Sequence, residues 1–198
     1  MLTIVLLIAN SIISYMAYQA MENNDNPDRF LFRPYALSRG KNFPGVLLSH
    51  FSHSGFMHFL FNMITLYSFG SVIEQITGTF SLFLIYFAAG ITSTLLPYYK
   101  YKTNIYYQAL GASGCISGVL FAAIMIYPSI KVQMLFIPIP IPGPLFAVFY
   151  LLISYYFMQE EGGRISHEAH IGGAIAGVLL GGLFSPLGYT GFFLNLFK

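Results

Sequence analysis

The sequence predicts an all-α membrane protein, one domain over residues 1–198 folded as a bundle of six transmembrane helices. Three observations carry that expectation. Of the 198 residues, 56% are hydrophobic and 8% charged, against roughly a quarter charged in an average soluble domain. Apolar runs of about transmembrane length recur along the chain. Each is closed by a proline, a glycine or a polar cluster, so the runs read as separate helices. The chain is therefore expected to be a multi-pass integral membrane protein of the cell membrane, with the lipid bilayer as its surroundings.

Residues 2–18 are apolar apart from Thr3, Asn10, Ser11 and Ser14, and no positive residue precedes them. A secretory signal would carry one, so this is expected to be a retained first helix. Residues 19–52 turn polar and irregular through Asn23, Asn24, Asp25, Asn26, Pro27 and Asp28, then Arg29, Arg33, Pro34, Arg39 and Lys41. They read as a long loop, and Phe30, Leu31, Phe32, Tyr35 and Phe43 lay it on or in the bilayer surface. The second helix opens with Ser54 as N-cap and runs to about Ser71, with His58 and Asn62 interrupting its apolar surface. Glu74, read as structural, and Gly78 mark a turn. The third helix covers 79–97 and ends at Pro97, followed by a tyrosine-rich loop to Gln108.

The fourth helix starts at Gly111 or Ser113 and ends near Tyr127-Pro128. Pro128, Pro138, Pro140, Pro142 and Pro144 exclude a helix through 128–144. A fifth helix follows over about Leu145 to Met158. Glu160, Glu161, Gly162, Gly163 and Arg164 break the chain again, and the sixth helix runs from about Glu168 or Ala169 to Phe184-Ser185-Pro186. The tail from Leu187 to Lys198 is too short to span and is expected at the interface.

The net charge of +2 and the lack of a Lys/Arg run argue against a nucleic-acid partner. The single cysteine, Cys115, cannot form an intramolecular disulfide and reads as packing. What remains is chemistry carried by helix starts. Consecutive spans alternate in direction, so helices two, four and six begin at one membrane face. His58 and Asn62 lie four apart on one side of helix two, Ser113 opens helix four and His170 opens helix six. Polar groups inside a bundle are costly to leave unpaired and tend to be functional. Gly173, Gly177 and Gly181 form a smooth stripe on helix six, matched by Gly114 and Gly118 on helix four. Such an approach would bring His170 within hydrogen-bond reach of Ser113, as a base requires to activate a hydroxyl. Glu168, two residues from His170, points elsewhere on the helix and is not recruited.

Small-residue packing alone would also explain Gly111, Gly114 and Gly118. His50 and His53 read as loop or interface histidines. His167-Glu168-Ala169-His170 fails as a zinc-protease motif, because its histidines are three rather than four apart. No metal and no cofactor is expected.

The residues Gly111-Ala112-Ser113-Gly114, His53, His58 and Asn62, and Ala169-His170-Ile171-Gly172-Gly173 resemble the rhomboid family of intramembrane serine proteases, over essentially the whole chain. The resemblance implies a Ser113–His170 pair, with Ser113 as nucleophile and His170 as general base. It implies oxyanion stabilisation by His58, Asn62 and the backbone N–H of Ser113, and substrates that are transmembrane segments of membrane proteins. Two departures stand out. Many bacterial members carry Trp-Arg in the first loop where this chain reads Pro44-Gly45, so another anchor is needed for that loop. Some members place an aromatic residue four positions after the nucleophile, against the histidine; here it is Ser117, whose replacement by alanine is expected to keep most activity. The resemblance also implies a cytoplasmic amino terminus, whereas the excess of Lys and Arg on the site face favours the opposite orientation. A silent helix-binding relative would usually lack the serine or histidine, and a transporter would call for paired intramembrane carboxylates.

Overall fold

The computed structural model describes residues 1–134, 137–158 and 166–196. Six apolar helices make the bundle: α1 Leu2–Glu22, then α4 Phe56–Thr77, α5 Thr79–Tyr101, α6 Ser113–Ile126, α7 Gly143–Met158 and α8 His167–Phe184. Between α1 and α4 lie two short helices, α2 Pro34–Ser38 and α3 Phe43–Leu48. Strands β1 Lys131–Met134 and β2 Ile137–Pro142 precede α7, and α9 Gly188–Leu196 follows α8. Among the described residues, three helices, α1, α4 and α5, are long and apolar enough by themselves to cross a membrane. α8 passes the same test jointly with α9, from which it is bent by 111°, and α6 and α7 are shorter apolar helices.

The central element is α6, whose residues from Gly114 to Ile126 are all buried. An apolar surface on every side is what an interior helix needs. It packs with Leu66 and Ile73 of α4 and with Leu82, Ile85 and Tyr86 of α5 in one core. At 14 residues it rises about 21 Å, short of the roughly 30 Å hydrocarbon core, so at least one of its ends lies within the thickness of the bilayer.

The contact of α6 with α8 follows from the small residues. A Cβ on Gly173 would run into the Gly114 carbonyl, one on Gly177 into the Gly118 carbonyl, and one on Gly181 would stand 2.7 Å from Ala122 Cα. Backbone thus lies directly on backbone, which only these positions without side chains permit.

Several sequence expectations are corrected. The first loop is not irregular throughout, since it contains α2, α3 and two 3₁₀ turns, Pro27–Phe30 and Ser49–Phe51. The position before α4 is Gly55, not Ser54, and α4 continues six residues past Ser71. Pro97 lies inside α5, which persists to Tyr101. Beyond it the last turn of α5 is tied to α8, because Lys100 Nζ and the Tyr101 hydroxyl both donate to Glu168 Oε1, at 2.6 and 2.9 Å. The proline-rich stretch, expected only to exclude a helix, forms an antiparallel hairpin with Val132 opposite Ile141, and helix is excluded from it only up to Pro142. The register shifts between Val132 and Met134, opposite Pro138 and Pro140, and a bulge is one of the few places in a sheet where proline is tolerated. α7 starts at Gly143, with Pro144 in its first turn, where a proline is tolerated. The expected polar break at Glu160–Arg164 lies outside the described residues.

Glu74 closes the end of the bundle away from the start of α6. Its carboxylate accepts the backbone N–H groups of Leu2 and Thr3 at 2.6 and 3.0 Å, and the hydroxyls of Thr3 and Thr79 at 2.8 and 2.9 Å. The donors that the first turn of α1 leaves without intrahelical acceptors are thereby satisfied from another helix.

Candidate active site

Ser113 is the first residue of α6, in a segment fixed from two sides. Phe32 and Ala109 exchange backbone hydrogen bonds of 2.7 and 3.0 Å, and the Gly111 N–H donates to the Ser49 carbonyl at 2.9 Å. Gly111 has φ +152°, a conformation that favours glycine. A Cβ there would lie 2.9 Å from His58 Cε1 and 3.4 Å from Ser113 Oγ, so the position brings helix α4 and the serine to one point.

The loop anchor in place of Trp-Arg is backbone pairing plus the α3 approach. Asn42 Nδ2 donates to the Leu31 carbonyl at 2.9 Å, and a Cβ on Gly45 would collide with that carbonyl. Pro44-Gly45 therefore lets α3 sit directly on the preceding strand-like segment.

His170, in the first turn of α8, has its Nε2 2.8 Å from Ser113 Oγ. The two come from chain positions 57 residues apart, and the glycine-on-glycine contact below them sets the spacing of their helices. His58 Nδ1 lies 3.1 Å from Ser54 Oγ, which is where the hydroxyl expected to cap α4 goes. Asn62, one turn on, is buried, and its Nδ2 has no hydrogen-bond partner among the described residues. A buried amide donor left unpaired is uncommon and calls for a reason.

His53 backs this group. Its Nδ1 is 2.6 Å from Ser14 Oγ on α1, and its ring meets His58 edge-on at 5.3 Å. Burial, with the neighbouring His58 adding to it, holds its pKa down at about 3, so it is neutral. Burial likewise holds His50, at the end of the loop, down at about 4.

Sequence reasoning left His170 without a support and missed the one present. The ring of Tyr150, on α7, lies 6.2 Å from that of His170 at 33°, and its hydroxyl is 2.7 Å from Ser117 Oγ. Phe121 packs edge-on against the same ring at 5.4 Å. Ser117, small where some members of the family resembled carry an aromatic residue, instead receives one from a neighbouring helix. No motif marks this support, because the contact joins two helices that share none. Glu168 also proves distinct from the pair, being salt-bridged to Lys100 at 2.6 Å. His167 meets His170 edge-on at 5.9 Å.

The arrangement holds a hydroxyl against an imidazole, with an unpaired amide donor and a second imidazole on the facing helix. A family model for the rhomboid domain matches residues 41–187. The chain is 34% identical over 139 residues to the presenilin-associated rhomboid-like protein, mitochondrial, of Bos taurus, covering 67% of this chain and 36% of that protein. It is 31% identical over 141 residues to rhomboid protein 1, mitochondrial, of Saccharomyces cerevisiae, covering 69% and 40%. To rhomboid protease GluP of Bacillus subtilis it is 30% identical over 125 residues, covering 63% and 23%. The match thus spans well under half the length of these relatives.

Proposed function

The chain belongs to the rhomboid family, and from that premise we propose that it is an intramembrane serine endopeptidase that cleaves transmembrane segments of membrane proteins. The observation that carries this reading is the 2.8 Å approach of His170 Nε2 to Ser113 Oγ beside an Asn62 amide with no partner.

In this reading Ser113 Oγ attacks the scissile carbonyl carbon while His170 Nε2 takes the hydroxyl proton. The carbonyl oxygen becomes an oxyanion, which accepts hydrogen bonds from Asn62 Nδ2, His58 Nε2–H and the Ser113 backbone N–H. That N–H lies in the first turn of α6, where it has no intrahelical acceptor. Ser54 Oγ and His58 Nδ1 are 3.1 Å apart; in this reading the hydroxyl is the donor, which leaves the His58 proton on Nε2 for the oxyanion. When the tetrahedral intermediate collapses, the C–N bond breaks and His170 returns its proton to the leaving nitrogen. A water molecule activated by the same histidine then releases the acyl group. Tyr150 holds the imidazole in place by its ring.

The test joins labelling to turnover. The full chain, reconstituted with a transmembrane substrate, is treated with a fluorophosphonate and the labelled residue mapped. The expected result is label on Ser113 alone, with Ser113→Ala and His170→Ala each abolishing cleavage and the double variant no worse than either. Label at Ser117, or turnover by folded Ser113→Ala, would overturn the reading in favour of other protease chemistry. A folded protein that takes no label and cuts nothing would instead point to a silent helix binder. The cell-membrane placement belongs to the same proposal, since the cattle and yeast relatives are mitochondrial by name; membrane fractionation tests it.

A further inference from the structure

A pocket lies at the carboxyl end of α1, where the chain turns back after the helix. Its shape starts from the chain reversal after α1. Asn24 and Asn26 both take positive φ, at 52° and 49°, and the Asp25 N–H donates back to the Ala20 carbonyl at 2.9 Å. Asparagine tolerates this left-handed conformation better than most residues. The reversal is anchored by Phe30, which is buried against Ala17 and Ala20. Arg29, one residue earlier, is thereby folded back over the last turns of α1, with its guanidinium 4.9 Å above the Phe30 ring.

The result is a cavity of about 220 Å³ whose wall includes Tyr15, Gln19, Asn23, Asp25 and Arg29. Three of these form a ladder at four-residue spacing: Asn23 Nδ2 donates to Gln19 Oε1 and Gln19 Nε2 to the Tyr15 hydroxyl oxygen, each at 3.2 Å. The Tyr15 O–H remains a donor. Arg29 Nε is buried with no hydrogen-bond partner among the described residues, a state that costs free energy until an acceptor reaches it. Asp25 and Arg29 line one cavity yet do not bridge each other, whereas the neighbouring Asp28 and Arg33 do, at 2.6 Å. Unjoined opposite charges beside neutral donors suit a ligand that carries both signs.

Below the pocket the same side of α1 continues as Tyr15, Ile12, Ile8 and Val5, spaced three or four apart and 64%, 56%, 54% and 58% exposed. That apolar stripe runs down a membrane-spanning helix, so what meets it is acyl chain. We propose that this pocket binds the headgroup of a phosphatidylethanolamine, its phosphate on Arg29 and the Tyr15 hydroxyl, its ammonium on Asp25, and its acyl chains along the stripe. A choline headgroup has no N–H to give Asp25, and a glycerol headgroup has no cation for it.

The experiment is native mass spectrometry of the full chain in mixed micelles with equal amounts of phosphatidylethanolamine, phosphatidylglycerol and phosphatidylcholine of identical acyl chains. The wild type is expected to retain phosphatidylethanolamine preferentially. R29Q should lower retention of both phosphatidylethanolamine and phosphatidylglycerol by about tenfold, the loss of a charge-assisted hydrogen bond. D25N, at an exposed position that leaves folding intact, should retain lipid but lose the preference for phosphatidylethanolamine over phosphatidylglycerol. Soluble phosphoethanolamine should fail to displace the lipid. No retained lipid, equal retention of phosphatidylcholine, an unchanged R29Q, a D25N that keeps the preference, or displacement by the soluble headgroup would each overturn the proposal.

Discussion

The hydroxyls of Ser117 and Tyr150 lie 2.7 Å apart, joining the second turn of α6 to α7. The bond fixes the Tyr150 ring beside His170, so Ser117 contributes to the site through a partner rather than through its own reactivity.

Tyr150→Ala is expected to reduce kcat for a transmembrane substrate by about 10²-fold with little change in KM, because a misplaced base loses alignment while substrate binding elsewhere persists. Tyr150→Phe and Ser117→Ala each remove one neutral hydrogen bond, about 1 kcal/mol, and should cost no more than about fivefold. Their double variant should match either single one, since both delete the same bond. Additive losses, or an effect confined to the melting temperature, would reduce Tyr150 to a packing role.

His58→Ala and Asn62→Ala should each slow cleavage by roughly 10²- to 10³-fold without abolishing it, as other donors to the oxyanion remain. Ser54→Ala should act on the same step more weakly, through the His58 tautomer. Single-turnover kinetics measures this, and an unaltered rate in a less stable Asn62→Ala protein would reassign Asn62 to helix packing.

Replacing Gly177 with alanine places a methyl group against the Gly118 carbonyl. Stability should fall by about 1–3 kcal/mol, the usual cost of overpacking, and activity should fall with it as α6 and α8 move apart. Gly55→Ala is the control, because a Cβ there meets nothing within 4 Å. Thermal melting of the two variants decides it.

Stability should decline on acidification below about pH 6.5. His53 has its pKa lowered to about 3 in the folded protein against an ordinary 6.5, so between those values the unfolded chain binds a proton that the folded chain does not. The contribution is complete above pH 6.5 and is lost progressively toward pH 3, by up to about 1.4 kcal/mol per pH unit. His53→Gln should melt lower at pH 7.5 but show a shallower acid slope. An identical slope in this variant would assign the acid sensitivity to other groups.

Much of this architecture was legible because lipid leaves few options. Long apolar runs had to be helices, and Gly173 and Gly177 with Gly114 and Gly118 named the pair of helices in contact. Ser113, His58, Asn62 and His170 could be placed at one depth from helix direction alone. What was not legible depended on contacts made across elements. Pro97 looks like a helix end until Glu168 is seen holding Lys100 and Tyr101 beyond it. The alternating prolines exclude a helix, but only the register with Val132 reveals a strand. Ser54 has the chemistry of a cap, and its hydroxyl is taken by His58. Tyr150 carries no motif at all.

The Glu74 carboxylate has a consequence for biosynthesis. It serves the first turn of α1 from 72 residues downstream. At about 5–20 residues per second, several seconds separate the emergence of that turn from the emergence of its acceptor. During that interval the Leu2 and Thr3 amides must keep water or headgroup partners, since lipid tails offer none. The start of α1 is thus held near the aqueous boundary until α4 has been made, and the arrival of Glu74 is what allows that end to settle. Completion of α4, rather than insertion of α1 itself, is then the event that locks the amino-terminal helix into the bundle.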